Sequence, residues 1–292
     1  MGATTTARKW LSGLSQLKES KSNRSIFEKI RAFKPHIQLQ HETEDFIVRT
    51  ADNGADLLKV LQLRHDIFIK EWLDKENQNG IDVDEYDFLA DHLMIIEKAS
   101  GEVIGNYRLL CSKFTDRFYS QSEFIMNDFV MWPWTKLEMG RACIHADFRD
   151  GNTIDLLWKG LSRYIHKSGT KYLFGCTSIT PCDPDHIGQI YRSLIHAENW
   201  RDEFRIRPNL KYELKDFDIE KPYPLMSPKE FRSVIPPLLR SYMHAGAKVY
   251  GLPAHDKAFD CIDMFTIMDM AHLNKKFKAR YFDVLENEPK SH

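Results

Sequence analysis

From Leu137 to Phe148 the chain alternates, with Leu137, Met139, Arg141, Cys143 and His145 on one face of a predicted strand and Glu138, Gly140, Ala142, Ile144 and Ala146 on the other. From Thr153 the period changes: Ile154, Leu157, Trp158 and Leu161 recur at helical spacing, after the polar turn Arg149-Asp150-Gly151-Asn152. The same rules predict a strand over 45–51, a helix over 54–73 carrying Leu57, Leu58, Leu61, Ile67 and Phe68, and a hairpin over 92–112 turning at Ala99-Ser100-Gly101-Glu102. A buried strand follows at 171–179, then a helix at 184–200, a helix around Pro236 to Tyr242 and a strand near Asp263 to Ile267. Strands and helices intermix without an internal repeat, the pattern of an α/β or α+β fold.

At 292 residues and 42% hydrophobic content the chain supports an ordinary packed core. No apolar run reaches the roughly 18 to 20 residues that cross a bilayer, and the opening residues lack a signal region, so a cytoplasmic location is expected, with the inner face of the membrane as its extension. Five scattered cysteines without close metal-type spacing predict neither disulfides nor zinc. Charge changes the picture at one end. Residues 1–40 carry a net +6 and the remainder −7. Trp10, Leu11, Leu14 and Leu17 share one helical face; Ile26, Phe27, Ile30 and Phe33 share another, behind a Ser25-x-x-Glu28 capping box. The expected organisation is therefore a basic amphipathic arm over 1–40, lying on an anionic membrane or packed on its own protein, and a domain over 41–292. Nothing points to nucleic acid.

Three features offer chemistry. The turn Arg149–Thr153 between a strand and a helix presents backbone N–H groups to an anion, although structural turns of this kind are common. The stretch DVDEYDFLADH gathers Asp82, Asp84, Glu85, Asp87, Asp91 and His92, suited to an ammonium group or metal, with His92 or a carboxylate as base; a solvated acidic loop is the plain alternative. Glu138 and Arg141 lie three apart, so a regular strand turns them to opposite faces and only a bulge brings them together.

Taken in order, Arg64-x-x-x-Phe68-x-x-x-Trp72, Asp84-x-Tyr86-Asp87, Arg108-Leu109 and Glu138-x-x-Arg141 resemble the acyl-homoserine-lactone synthase branch of the GNAT acyltransferases. The segments DHLMII, GEVIGNYRLL, FYSQSEF, LEMGRACIHADFRDGNTIDLLWKG, YLFGCTSI and IPPLLRSYMHAGAKVYG resemble more closely the ornithine N-acyltransferases of bacterial ornithine-lipid synthesis, over roughly residues 45–285. The resemblance implies a central mixed, splayed sheet flanked by helices, with the phosphopantetheine arm of an acyl donor in its cleft. It implies Glu138 as base or relay anchor, with Arg141 and His92 beside it in catalysis; Arg64, Phe68, Trp72, Asp84, Asp87 and Arg108 at the acceptor; and Cys143, Ile144, Arg149, Gly151, Asn152 and Thr153 along the donor arm. Asn152 and Ile154 stand where the usual GNAT turn has small residues, which favours acyl carrier protein over acyl-coenzyme A as donor. Arg201, Arg205, Arg207 and Lys211 are a candidate basic face for that carrier. The expected reaction is transfer of a 3-hydroxyacyl group to the α-amine of ornithine or a related amino acid, with no tightly bound cofactor. The alternatives are a homoserine-lactone-type signal synthase and a catalytically silent acyl-binding module.

Overall fold

A computed structural model describes residues 21–75, 77, 79–180 and 183–286. Two compact units divide the chain: residues 1–110 with 141–168, and 111–140 with 169–292. The division does not follow the expected boundary at residue 40. The expected helix over Trp10–Leu17 lies outside the described residues, but helix α1 (Lys21–Ala32) belongs to the first unit, where Ile30 and Phe33 are buried. Ser25 sits inside this helix rather than capping it, because the helix begins four residues earlier.

In the first unit, strands β1 (Gln40–Glu42), β2 (Phe46–Thr50), β3 (Asp91–Glu97) and β4 (Val103–Cys111) pair antiparallel in sequence order. The last residues of a long strand (Lys136–Ile144) also belong here, tied to β4 by the Asn106 side-chain amide donating to the Arg141 carbonyl at 3.2 Å. That strand ends at Ile144, short of the expected Phe148, because Ala146–Phe148 turns into a 3-10 segment. Helix α2 (Gly54–Arg64) starts at Asn53, whose side chain accepts from the N–H groups of Ala55 and Asp56. It continues as a π-helical stretch over His65–Trp72. The helix predicted from Thr153 runs from Gly151 to Ser168 (α3) and buries Leu156, Leu157, Trp158 and Leu161. It packs closely on the sheet through Gly160, where a Cβ would lie 2.6 Å from Val48 Cγ1.

The second unit holds a mixed sheet. The first part of the long strand, which becomes β6 in chain order after the short β5 (Phe124–Ile125), pairs in parallel with β7 (Tyr172–Ile179). Beyond β7 come β12 (Cys261–Asp269), antiparallel to it; β10 (Lys248–Tyr250), antiparallel to β12; and β8 (Trp200–Arg201), parallel to β10. Strand β11 (Ala254–Asp256) forms a hairpin with β12, while β9 (Arg207–Pro208) pairs with β5. Alternation sorts the two sheet faces. On one, Ile179, Ile262 and Met264 meet helices α4 (Pro184–His196) and α5 (Pro237–Ala245) through Ile187, Ile190, Leu194 and Leu239. On the other, Phe174 and Phe265 pack edge-on with Phe118, Phe124 and Phe129 of the segment before β6. The β6–β7 ladder has three residue pairs, Lys136↔Tyr172, Leu137↔Leu173 and Glu138↔Phe174.

Candidate functional site

The acidic loop of the first unit is neutralised by arginines from distant parts of the sequence. Arg64, at the end of α2, donates to Asp82 Oδ2 from Nε (2.8 Å) and Nη2 (2.6 Å), and to Asp87 Oδ1 from Nη1 (2.5 Å). Arg108 on β4 reaches both Asp84 oxygens at 2.7 Å and Asp87 Oδ1 at 3.3 Å. Arg141 lies 3.3 Å from Asp82 Oδ2 and 3.5 Å from Asp84 Oδ2. Three arginines and three aspartates thus close an alternating ring. Burial works against these charges, but Asp87 and Asp82 hold the Arg64 guanidinium ionised, and Arg64 with Arg108 keeps the Asp87 carboxyl well below the usual carboxylate range. Arg141 has φ 50°, a left-handed residue within a strand, which breaks the regular alternation at this point. The break turns Arg141 into the ring.

This arrangement changes several expected roles. Asp87 is fully enclosed and its charge is committed to arginines, so it positions Arg64 and Arg108 rather than meeting an acceptor ammonium. Asp84, partly exposed, also caps the 3-10 turn Glu85–Phe88 by accepting from the Tyr86 N–H. His92 is not placed as a base: its Nε2 lies 2.9 Å from the Asp87 carbonyl, and burial pushes its pKa down to about 4, aided by Arg64 and Arg108 and opposed by Asp87. Nε2 donates to that carbonyl, and the lowered pKa leaves the ring neutral near pH 7. Phe68 is buried and stacks at 6.0 Å on Trp72, which is 47% exposed.

The donor-side residues are likewise partly occupied. Burial pushes the Cys143 thiol up to about 12, which keeps it in the protonated, weakly nucleophilic form near neutral pH. Arg149 forms a two-pronged pair with Glu71 and donates to the Ile144 carbonyl. At the start of α3 the Asp150 carboxylate accepts from Thr153 N–H (2.8 Å) and hydroxyl (3.0 Å), taking the position an anion would use. A Cβ at Gly151 would meet nothing within 4 Å, so the turn stays open to approach beside Asn152.

In the second unit, Glu138 closes the β6–β7 ladder and is 3% exposed. Its Oε2 accepts from Tyr119 N–H and its Oε1 from Ser120 N–H, each at 2.7 Å, and the Ser120 hydroxyl also donates to Oε1. Three donors to one carboxylate fix its plane. Glu138 and Arg141 are therefore each held by their own partners. Ser120 Oγ lies 3.4 Å from Cys176 Sγ, whose thiol donates to Glu123 Oε2 at 3.3 Å. Burial pushes the Glu123 carboxyl up to about 9, with Asp263 and Asp256 adding repulsion. Sequence reasoning missed Ser120, Glu123 and Cys176. The segment FYSQSEF enters only through the family resemblance, and nothing in its spacing ties it to β7 or β12. Arg205 pairs with Asp128 at 2.7 Å and Arg207 with Asp202 at 2.5 Å, so the candidate basic face is largely answered by its own carboxylates.

The acetyltransferase (GNAT) domain family matches residues 63–159. The chain is 28% identical over 249 residues to an L-ornithine N(alpha)-acyltransferase of Rhizobium meliloti (strain 1021), covering 80% of this chain and 83% of the relative. It is 26% identical over 248 residues to an L-ornithine N(alpha)-acyltransferase of Brucella abortus (strain 2308), covering 80% and 88%. Among solved structures it is similar to the AHL synthase LasI, with 16% identity, a TM-score of 0.46, and 84% and 96% of the two chains covered. Among the described residues no helix is long and apolar enough to cross a membrane.

Proposed function

We propose that this chain, an acyltransferase of the GNAT fold, moves a 3-hydroxyacyl group from the phosphopantetheine thiol of acyl carrier protein to the α-amine of ornithine or a closely related amino acid. The observation that carries the reading is Glu138, a buried carboxylate clamped by Tyr119 and Ser120 at the end of the parallel β6–β7 ladder. Amide formation needs a neutral amine, and an α-ammonium is mostly protonated near neutral pH. Glu138 takes that proton directly or through a bound water. The amine nitrogen then attacks the thioester carbon, the C–S bond breaks, and the thiolate leaves with a proton. The names of the relatives support ornithine as acceptor. The Asp150 cap at the start of α3, and Asn152 and Ile154 where the usual turn of this fold has small residues, favour a single phosphodiester over the diphosphate of coenzyme A.

Incubation of the purified full chain with ornithine and a labelled 3-hydroxyacyl carrier-protein thioester is expected to give the α-amide by mass spectrometry. Transfer confined to S-adenosylmethionine, with a lactone product, overturns the reading in favour of a signal synthase. Specificity constants for the matched carrier-protein and coenzyme A thioesters should differ in favour of the carrier protein; equality defeats the argument from the α3 turn.

A further inference from the structure

Two acidic groups among the described residues differ in kind. In the first unit every aspartate of the loop ring answers an arginine. In the second, carboxylates from separate strands converge on one sheet face. Register places Asp263 opposite Ser178 and Ala254, and Asp256 opposite Cys261, so Asp256, Cys261, Asp263, Ser178 and Cys176 all point to the face that carries Phe174 and Phe265. Asp256, Cys261 and Asp263 bring one polar atom each within 4.8 Å of one another. Asp263 Oδ1 accepts from Ser178 Oγ at 2.6 Å and its Oδ2 from the Cys261 thiol at 3.9 Å, Asp256 Oδ1 accepts from the N–H groups of Ala258 (2.8 Å) and Phe259 (3.3 Å), and Glu123 Oε2 accepts from the Cys176 thiol. Glu123 Oε1 is fully enclosed and makes no hydrogen bond within the protein, while the charges acting on this carboxyl are those of Asp263 and Asp256. Burying such an oxygen beside further carboxylates is costly; the raised pKa of Glu123 relieves the cost by protonation, and a cationic donor relieves it with the charge kept.

We propose that Glu123, Asp256 and Asp263 form the recognition site for the acceptor's second, side-chain ammonium group, so that the enzyme selects a diamino acid. The inference rests on the reading of the chain as an amino-acid N-acyltransferase. Two further observations favour an organic ammonium. The patch is reachable where Cys176 and Ser178 keep part of their surface between buried neighbours on β7. It also neighbours the proposed base: Cys176, which donates to Glu123, lies 3.4 Å from Ser120 Oγ, which donates to Glu138, and the proposal sets the acceptor's α-amine at Glu138 with its distal ammonium at the carboxylates. An ammonium offers three donors, enough to serve Glu123 Oε1 together with the two aspartates. The known competitor is a divalent ion held by Asp256, Cys261 and Asp263.

The test uses the full chain and a 3-hydroxyacyl carrier-protein donor, comparing ornithine with 2-aminohexanoate, a neutral amino acid of matching side-chain length. The wild type is expected to prefer ornithine, and Asp263→Asn and Asp256→Asn each to shrink that preference by roughly 30-fold or more, chiefly through KM, as expected when one partner of a buried charge pair is removed. Both substitutions relieve repulsion among like charges, so neither is expected to unfold the protein. A preference unchanged in both variants overturns the proposal, as does a wild type that never distinguishes the two amino acids. Elemental analysis of protein purified without chelator is the third arm: one equivalent of a divalent ion, lost in Asp263→Asn, assigns the patch to metal and overturns it as well. Calorimetric binding of the two amino acids separates the failures. If the wild type acylates neither yet binds ornithine more tightly through Asp263, the catalytic reading fails and the recognition site stands.

Discussion

At the scale of single residues, the ring of Arg64, Asp82, Asp87, Arg108, Asp84 and Arg141 sets the largest energetic stakes. Asp87→Asn strands parts of two buried guanidinium groups and is expected to cost about 3–5 kcal/mol, read from urea unfolding monitored by tryptophan fluorescence. Glu138→Gln sets an amide NH2 against one of two backbone N–H donors, so it is expected to cost about 1–3 kcal/mol of stability, and, measured on the folded fraction, to lower turnover by roughly 100-fold or more, the usual scale for a lost general base. Cys143→Ala should leave turnover close to wild type, because the thiol is buried and protonated and meets no dedicated base. His92 makes a prediction about pH. Its ring is neutral in the fold with a pKa of about 4, against about 6.5 in the unfolded chain, so the unfolded state binds the extra proton. Stability from this group is complete above pH ~6.5 and falls as pH drops towards about 4, by up to about 3 kcal/mol. Chemical denaturation at a series of pH values should show that slope, and His92→Gln should flatten it.

At the scale of elements, two helices carry tests. Gly160 lets α3 lie on β2 and β3, and Gly160→Ala places a methyl group against Val48 and Leu93, an overpacking expected to cost about 1–3 kcal/mol. Asp150→Ala removes the cap of α3 and should cost about 0.5–2 kcal/mol, yet it also vacates the anion position at the helix start. If the donor's phosphate uses those amides, its KM should fall in this variant despite the lower thermal midpoint; an unchanged or raised KM separates the phosphate from this turn. The long elements were legible because a period of 2 or 3.6 repeats often enough to be read: 46–50, 91–97, 103–111 and 172–179 emerged as strands, and 184–196 as a helix. Strands of two or three residues such as β5, β8 and β11 carry no repeat, and the π-helical stretch after Arg64 has the same apolar spacing as an ordinary helix end. The site was half legible for a related reason. A loop rich in aspartate draws the eye, but the arginines that neutralise it stand 18, 24 and 57 residues away from their partners. Likewise Glu123 and Asp263 meet only because β12 lies beside β7.

At the scale of the whole molecule, the basic arm becomes partly structural: Ile30 of α1 and Phe33 just after it are buried in the first unit, Phe33 edge-on to His92 at 5.6 Å and Lys29 over the Phe88 ring at 5.4 Å. Removing residues 1–33 should therefore lower the thermal midpoint, and removing 1–20 is expected to weaken co-sedimentation with anionic vesicles, an association that in the intact protein should also fall at increasing salt. Both units are discontinuous in the chain, and this bears on how the protein is made. The first is complete only once Ser168 has been synthesised, although its first strand begins at Gln40. The second begins at Cys111, and Phe118, Phe124 and Phe129 must wait for Phe174 and then for Phe265. At about 5–20 residues per second, the interval between β7 and β12 leaves that aromatic cluster half-covered for roughly 5 to 20 s. A nascent chain of this enzyme thus passes through an obligatory sticky stage on the ribosome, and its yield in a cell should follow the supply of holdase chaperones more closely than its final stability.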